Sequence, residues 1–362
     1  MRRARVAMTA IVALVLMALV QIAFLIGFAA LRIADHRAVR HRDERARAGR
    51  AVAEPVQRWL LGDGRVRDVA ALLAAMPPDA ALEQLVSLAT TRAQASQRAE
   101  LREALRGEPW VRAILGGTSS RVWLRRRDAA RLLGVVGTDR DRVLLQQLLD
   151  DAHPAVQGAA AACLPTMADR GVIAYVLDGL PERSMIVRLH QFEMLEATLR
   201  LTLPSLLERL TAEAPPRRLK TWISLAETIG SPELLERVAT LHNHPDALIR
   251  LSVARALRRY AHPDAEEVLL ISLRDPDWRV RAVAARSLGA LGGPSAVPRL
   301  AAGMRDVRWR VRFRCALALA QLGSEGRAAL AESRVDTDRF AAEMATMISA
   351  LSADSVAELA EA

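Results

Sequence analysis

Residues 275–292 read DPDWRVRAVAARSLGALG, and the chain writes a close copy, DVRWRVRFRCALALAQLG, at residues 306–323. The offset between the copies is 31 residues. With Val280 as position zero, steps of 31 in both directions give Arg125, Val156, Val187, Arg218, Ile249, Val280 and Val311. Five of these seven are apolar, and at Arg218 the apolar residue stands one place on, at Leu219. Five places after zero the column reads Ala130, Ala161, Phe192, Ile223, Ala254, Ala285 and Ala316. Eight places after zero it reads Leu133, Leu164, Leu195, Ala226, Leu257, Leu288 and Leu319. These offsets share one face of a helix with 3.6 residues per turn. The alanines permit close helix–helix approach, and the leucines supply buried bulk.

The residues between these faces predict a second helix in each unit. Gly137, Gly230, Gly292 and Gly323 stand just past the first face. A glycine there can take the left-handed conformation that ends a helix. Pro232, Pro263 and Pro294 follow at the same spacing and suit the first turn of a helix, where an N–H would be unpaired anyway. A further apolar column, Leu145, Val176, Leu207, Val238, Leu269, Leu300 and Ala331, marks the buried side of that second helix. Asp151, Glu182, Glu213, Asp275 and Asp306 stand five places before zero, where negative charge complements the free N–H groups of a helix start. A hairpin this short cannot bury its apolar face alone, so identical units stack and share one core. The expectation is an all-α chain with an α-solenoid of about seven 31-residue hairpins over residues 118–335.

The pattern resembles HEAT repeats, in the short form also found in phycobilin lyases. The matching residues are Asp275-Pro276, Trp278, Val280-Arg281, Ala284-Ala285 and Leu288-Gly289, then Asp306, Trp309, Val311-Arg312, Ala316 and Leu319. A weaker copy, HPDALIRLSVARAL, begins at His244. The resemblance implies a solenoid that binds other macromolecules. It also implies that the arginine after position zero (Arg188, Arg250, Arg281, Arg312) ties each unit to an acidic residue of its neighbour. The tryptophans two places before zero (Trp123, Trp278, Trp309) read as rings that cap the start of first helices, and Trp278 and Trp309 are also candidates for anchoring a partner.

Outside the repeat, residues 6–31 contain no charged side chain. As a helix these 26 residues span roughly 39 Å, enough for a hydrocarbon core of ~30 Å. A cleaved leader has a shorter apolar core and a small-residue cleavage site, which this stretch lacks. Residues 1–31 are therefore expected to be a transmembrane anchor in a bacterial inner membrane. Arg2, Arg3 and Arg5 precede the span, and Arg32, Arg37, Arg40 and Arg42 open a longer basic run behind it, so the charge rule puts the solenoid on the cytoplasmic side. Residues 32–50 read as a basic stem, 51–117 as helical hairpins that cap the solenoid, and 336–362 as a final capping helix with no basic residue after Arg339.

Charge and residue types then limit the chemistry. Residues 1–50 hold ten arginines against three acids, so seven of the ten net positive charges of the chain lie there. That distribution suits anionic headgroups and not a phosphate-binding groove, so no nucleic acid is expected. None of the seven histidines is followed by glutamate, and His153, His244 and His262 precede proline. The deoxyhypusine hydroxylase type of HEAT-like enzyme uses His-Glu pairs for iron, so neither a metal site nor any other cofactor is expected. A lyase-like role is the other alternative and rests on fold analogy alone. Cys163 and Cys315 sit among alanines and read as packing residues. No phosphate-loop, serine-nucleophile or zinc-helix motif occurs, so no small-molecule substrate is expected. The reading is a non-catalytic scaffold that binds a partner protein, with the polar positions Arg209, Arg237, Glu267 and Arg299 on second helices as candidate contacts.

Overall fold

A computed structural model describes residues 52–91 and 94–361. The described residues are helical throughout and contain no strand. The chain divides into two compact units at Gly137. The expected span, the basic stem and Arg2, Arg3, Arg5, Arg32, Arg37, Arg40 and Arg42 all lie outside the described residues. Among those described, no helix is long and apolar enough to cross a membrane.

The first unit follows no 31-residue register up to residue 122. It packs the helix at 52–61 with Val66–Ala74, Pro78–Thr91, Ala95–Arg106, Pro109–Leu115 and Trp123–Val136. Its core joins Val52, Trp59, Leu73, Leu85, Leu101 and Leu105 to Leu132, Val135 and Val136. The first helix of the repeat register thus shares a core with the non-repeating helices. Bidentate hydrogen bonds from Arg131 to Glu83 and one from Arg106 Nη1 to the Val136 carbonyl, 2.9 Å, fix it there.

The second unit is built from stacked hairpins, and its first helices pack side by side: Met185–Ala197, Pro216–Ile229, Ala247–Ala256, Trp278–Leu291, Trp309–Gln321 and Arg339–Ser349. The sequence columns explain why. Val156, Val187, Ile249, Val280 and Val311 are buried at position zero, and in the fourth unit Leu219 replaces the exposed Arg218. Every residue at place eight is buried as well. Burying one such leucine stabilises the fold by about 1.5–3 kcal/mol. The second-helix column holds at Leu145, Val176, Val238, Leu269 and Leu300, but shifts by one place to Leu206 and Leu330 in two units.

Helix ends follow the expected chemistry in most units. Gly230, Gly292 and Gly323 have φ of 61°, 78° and 66°, a region that other residues rarely enter. Gly137 does not take this conformation and is extended, with φ −64° and ψ 149°. Pro232, Pro263 and Pro294 each open a helix, with Pro232 and Pro294 starting a 3₁₀ turn. Two departures have local causes. The first helix of the second repeat breaks into Pro154–Ala161 and Leu164–Met167, because Pro165 has no N–H to continue the ladder. The C-terminal segment forms two helices, Arg339–Ser349 and Ala353–Glu361, where one was expected. Ser352 Oγ accepts the Ser355 N–H at 3.2 Å and starts the second of them.

Candidate surface for partner binding

Between the hairpins runs a ladder of arginine–aspartate pairs. Arg250 Nε and Nη2 donate to the two carboxylate oxygens of Asp275 at 2.7 and 2.9 Å. One repeat later, Arg281 makes the same fork to Asp306 at 2.7 and 3.0 Å. Nη1 of each turns back on its own loop, from Arg250 to the His244 carbonyl at 2.8 Å and from Arg281 to the Asp275 carbonyl at 2.7 Å. The aspartates also shape their loops, with Asp275 accepting the Asp277 N–H and Asp306 the Arg308 N–H, both at 2.8 Å. Side chains of both pairs are at most 14% exposed. Burial tends to raise Asp306, but the Arg281 hydrogen bonds, the Arg308 N–H and the Arg281 and Arg312 charges outweigh it and hold the carboxyl below its usual range. Arg250 and Arg281 are therefore consumed by the fold, as the resemblance implied, whereas Arg188 and Arg312 make no such carboxylate pair among the described residues. Where Leu219 replaces the arginine, His244 replaces the acid of the next loop, and its Nδ1 accepts the Asp246 N–H at 3.0 Å.

The Arg250–Asp275 pair forms one wall of a cleft of about 680 Å³. Leu270 and Ile271 give it an apolar floor, and His242, Arg274, Glu267 and Arg299 stand around it. Ile271 is 51% exposed, and Glu267, Arg274 and Arg299 are exposed. Two of the four second-helix candidates, Glu267 and Arg299, thus line one cavity. Arg237 is exposed on the Leu235–Ala239 helix but does not line it. Arg209 is engaged elsewhere: Nε and Nη2 bind the Asp178 carboxylate at 2.8 and 3.0 Å, and its side chain is 17% exposed. It braces neighbouring second helices and has little surface to offer a partner. Arg274 and His242 were not singled out by sequence reasoning. Arg274 sits one place before the repeat acid Asp275, a loop position that Arg305 fills in the next repeat.

The tryptophans divide in a similar way. Trp278 is half-buried beneath the Arg310 guanidinium, 5.8 Å from the ring centre. Trp309 is 52% exposed and stacks on Phe313, with centroids 4.9 Å apart and planes 12° apart. Arg127 lies over Trp123 at 5.7 Å. His153 and His262 sit at the starts of helices, each accepting an N–H on Nδ1 at 3.2 Å. Among the described residues, no group of three or more His, Cys, Asp or Glu could hold a metal ion. Cys163 and Cys315 are buried, and burial pushes both thiols up to about 12.

Residues 266–352 match the family model described as HEAT repeats. No curated protein matches the chain by sequence. Among solved structures, a mutant of Kap121p is similar at 13% identity and TM-score 0.45, over 77% of this chain and 38% of that one. Human deoxyhypusine hydroxylase is similar at 20% identity and TM-score 0.31, over 71% and 96%. The CpcE–CpcF phycocyanin lyase of Nostoc sp. PCC7120 is similar at 18% identity and TM-score 0.29, over 68% and 94%. The chain spans about two fifths of the karyopherin's length.

Proposed function

We propose that this chain is a non-catalytic adaptor: a helical array, held to a bacterial inner membrane by residues 6–31, whose repeats grip a partner protein on the cytoplasmic side. The observation that carries this reading is the division of labour among charged residues. Arg250 and Arg281 on first helices are spent on the fold, while Glu267, Arg274 and Arg299 stand uncommitted around one cleft with an apolar floor. Both signs of charge and a central apolar contact suit a protein surface better than a polyanion. No catalytic constellation enters the reading, and no cofactor or small-molecule substrate is needed for it. The anchor contributes by confining both proteins to one membrane, which raises effective concentration and lets a weak contact suffice.

The test is cross-linking and co-purification from native membranes, with the natural chain set against Glu267→Lys and Arg299→Glu. The expected outcome is one protein captured by the natural chain and lost from both variants, with the variants inserted and abundant. Capture that is indifferent to both reversals would remove the cleft from the reading. A reporter fused after Ala362 tests the side of the membrane, and alkaline phosphatase activity there would overturn the cytoplasmic assignment.

A further inference from the structure

The arginine ladder ends in an open fork. Arg312 is the counterpart of Arg250 and Arg281, and its Nη1 makes the same loop bonds, to the Asp306 and Val307 carbonyls at 2.8 and 3.3 Å. Its Nε is buried with no acceptor, in a side chain of a residue only 9% exposed. Position 337, 25 residues on, where the two joints above place aspartate, is threonine. The neighbouring acid, Asp336, does occupy the loop place of Asp275 and Asp306, since it accepts the Asp338 N–H at 2.8 Å. It has turned to Arg305 instead, at 2.8 Å. Asp306 is held by Arg281. The guanidinium edge that binds carboxylate in the two preceding joints therefore faces none here. An unmet buried donor on a charged group is costly and calls for an explanation.

The surroundings indicate what would fill it. Phe340 lies over the Arg312 guanidinium at 4.9 Å and is 57% exposed, so one face of the cation is covered by a ring that itself meets solvent. Trp309, one turn before Arg312 on the same helix, is 52% exposed, and Val307, whose carbonyl Arg312 also takes, is 86% exposed. Arg308 and Arg310, the sequence neighbours of Trp309, are exposed as well. The patch is apolar and positive, so its complement is apolar and negative. The two joints above show the shape of the charged group: a planar carboxylate, taken bidentate at 2.7 to 3.0 Å, the geometry that a guanidinium fork matches best.

We propose that this edge docks a segment of the partner protein that presents a side-chain carboxylate next to an apolar residue, the carboxylate seating on Arg312 and the apolar residue on Trp309 and Phe340. The ladder is then completed by a residue from another chain. The proposal rests on the adaptor reading but uses a surface distinct from the cleft.

The probe is a library of displayed twelve-residue peptides, panned against the full chain in detergent micelles. Enriched peptides are expected to share Asp or Glu beside Leu, Ile, Phe or Trp. In a synthetic copy of the best one, changing the acid to its amide should weaken binding ~10-fold or more. Arg312→Lys, which keeps the charge and loses the fork, should give the same loss, and the two changes together little more. Peptide addition should also shift the Arg312 Nε–H resonance, a signal that a merely structural arginine would not give. Should Arg312→Lys fail to fold, Trp309→Ala takes its place, with a loss of roughly five-fold expected from a half-exposed anchor. Peptides without an acid, binding indifferent to both variants, displacement by anionic phosphatidylglycerol vesicles, or a dimer of the chain that Arg312→Lys dissolves would each overturn the proposal. If the cleft reversals abolish partner capture while Arg312→Lys leaves it intact, the docking edge falls and the adaptor reading stands.

Discussion

The repeats from residue 244 to 336 and those from 150 to 218 are stacked by different means. In the later set, first helices carry alanine at Ala254, Ala285 and Ala316 and lie so close that a Cβ on Gly289 would stand 2.9 Å from Ala318 Cα. Buried forks at Arg250 and Arg281 then lock the loops. In the earlier set the same column holds Ala161 and Phe192, with Ile223 directly after it, and the two large side chains are buried there. Ties there are a patchwork. Arg183 and Tyr175 share Asp150, Arg209 takes Asp178, and the Arg217–Glu182 pair lies in solvent, 72% and 68% exposed. One register thus tolerates two solutions. Small residues at the helix contact permit a uniform ladder, and large ones leave each joint to improvise.

The strongest way to break this contrast is to cut a rung. Arg281→Ala strands the Asp306 charge, and the later repeats should lose about 3 kcal/mol. Arg217→Ala should cost under about 1 kcal/mol, because solvent already screens that pair. Urea unfolding of the two variants, read side by side, settles it, and equal losses would sink the contrast. The rung also has a pH signature. Asp306 is held low, and the Arg279 hydrogen bond brings Asp277 down to about 2. A depressed carboxyl stabilises fully above its unfolded pKa and loses that contribution as pH falls through its folded one. Thermal midpoints of the natural chain should therefore be flat above about pH 5 and fall between about pH 4 and 2, and Arg281→Ala should flatten part of that fall.

Glycine substitutions sharpen the contrast with a smaller change. Gly289→Ala must push Ala318 aside and should cost about 1–2 kcal/mol despite the better helix propensity of alanine. Gly158→Ala meets only the edge of His190, at 3.6 Å, and should gain about 0.5–1 kcal/mol. Denaturation midpoints that move the same way would remove packing distance as the distinguishing feature.

The mildest test uses the two native thiols as reporters, because one lies in each set. Both are buried and held protonated by that burial, so neither should react with a thiol reagent at pH 8 without opening of its repeat. In low denaturant Cys163 should label about ten-fold faster than Cys315, as local opening concentrates where joints are weaker. Equal rates would mean that the array opens as one piece.

Most of this fold was legible because stacking repeats the same physical demand at a fixed interval. Val280, Leu288 and Ala285 could be placed in the core from spacing alone, and so could the left-handed turns at Gly230, Gly292 and Gly323. The exceptions lay where a single residue overrode the period. Pro165 broke a first helix, and Ser352 split the terminal segment in two. The surface was less legible. Glu267 and Arg299 share a cleft because of the stacking of two second helices, which no column reveals. Arg209 was indistinguishable from them in sequence until Asp178 appeared beside it. The open fork did leave a written trace, since Thr337 stands where the interval from Arg250 and Arg281 calls for aspartate.

The ties between hairpins also determine how the array responds to load. The Arg250–Asp275 and Arg281–Asp306 pairs bridge 25 residues, Tyr260 reaches the Ala226 carbonyl across 34 and Ser287 the Ala254 carbonyl across 33. Each fastens one hairpin to the next and no further. Tension along the chain is therefore borne joint by joint, and each hairpin that lets go releases its own 31 residues, roughly 100 Å of extended backbone, while those behind it hold. Under pulling the second unit behaves as a chain of clasps, and the clasps between the forked arginines are the last to open.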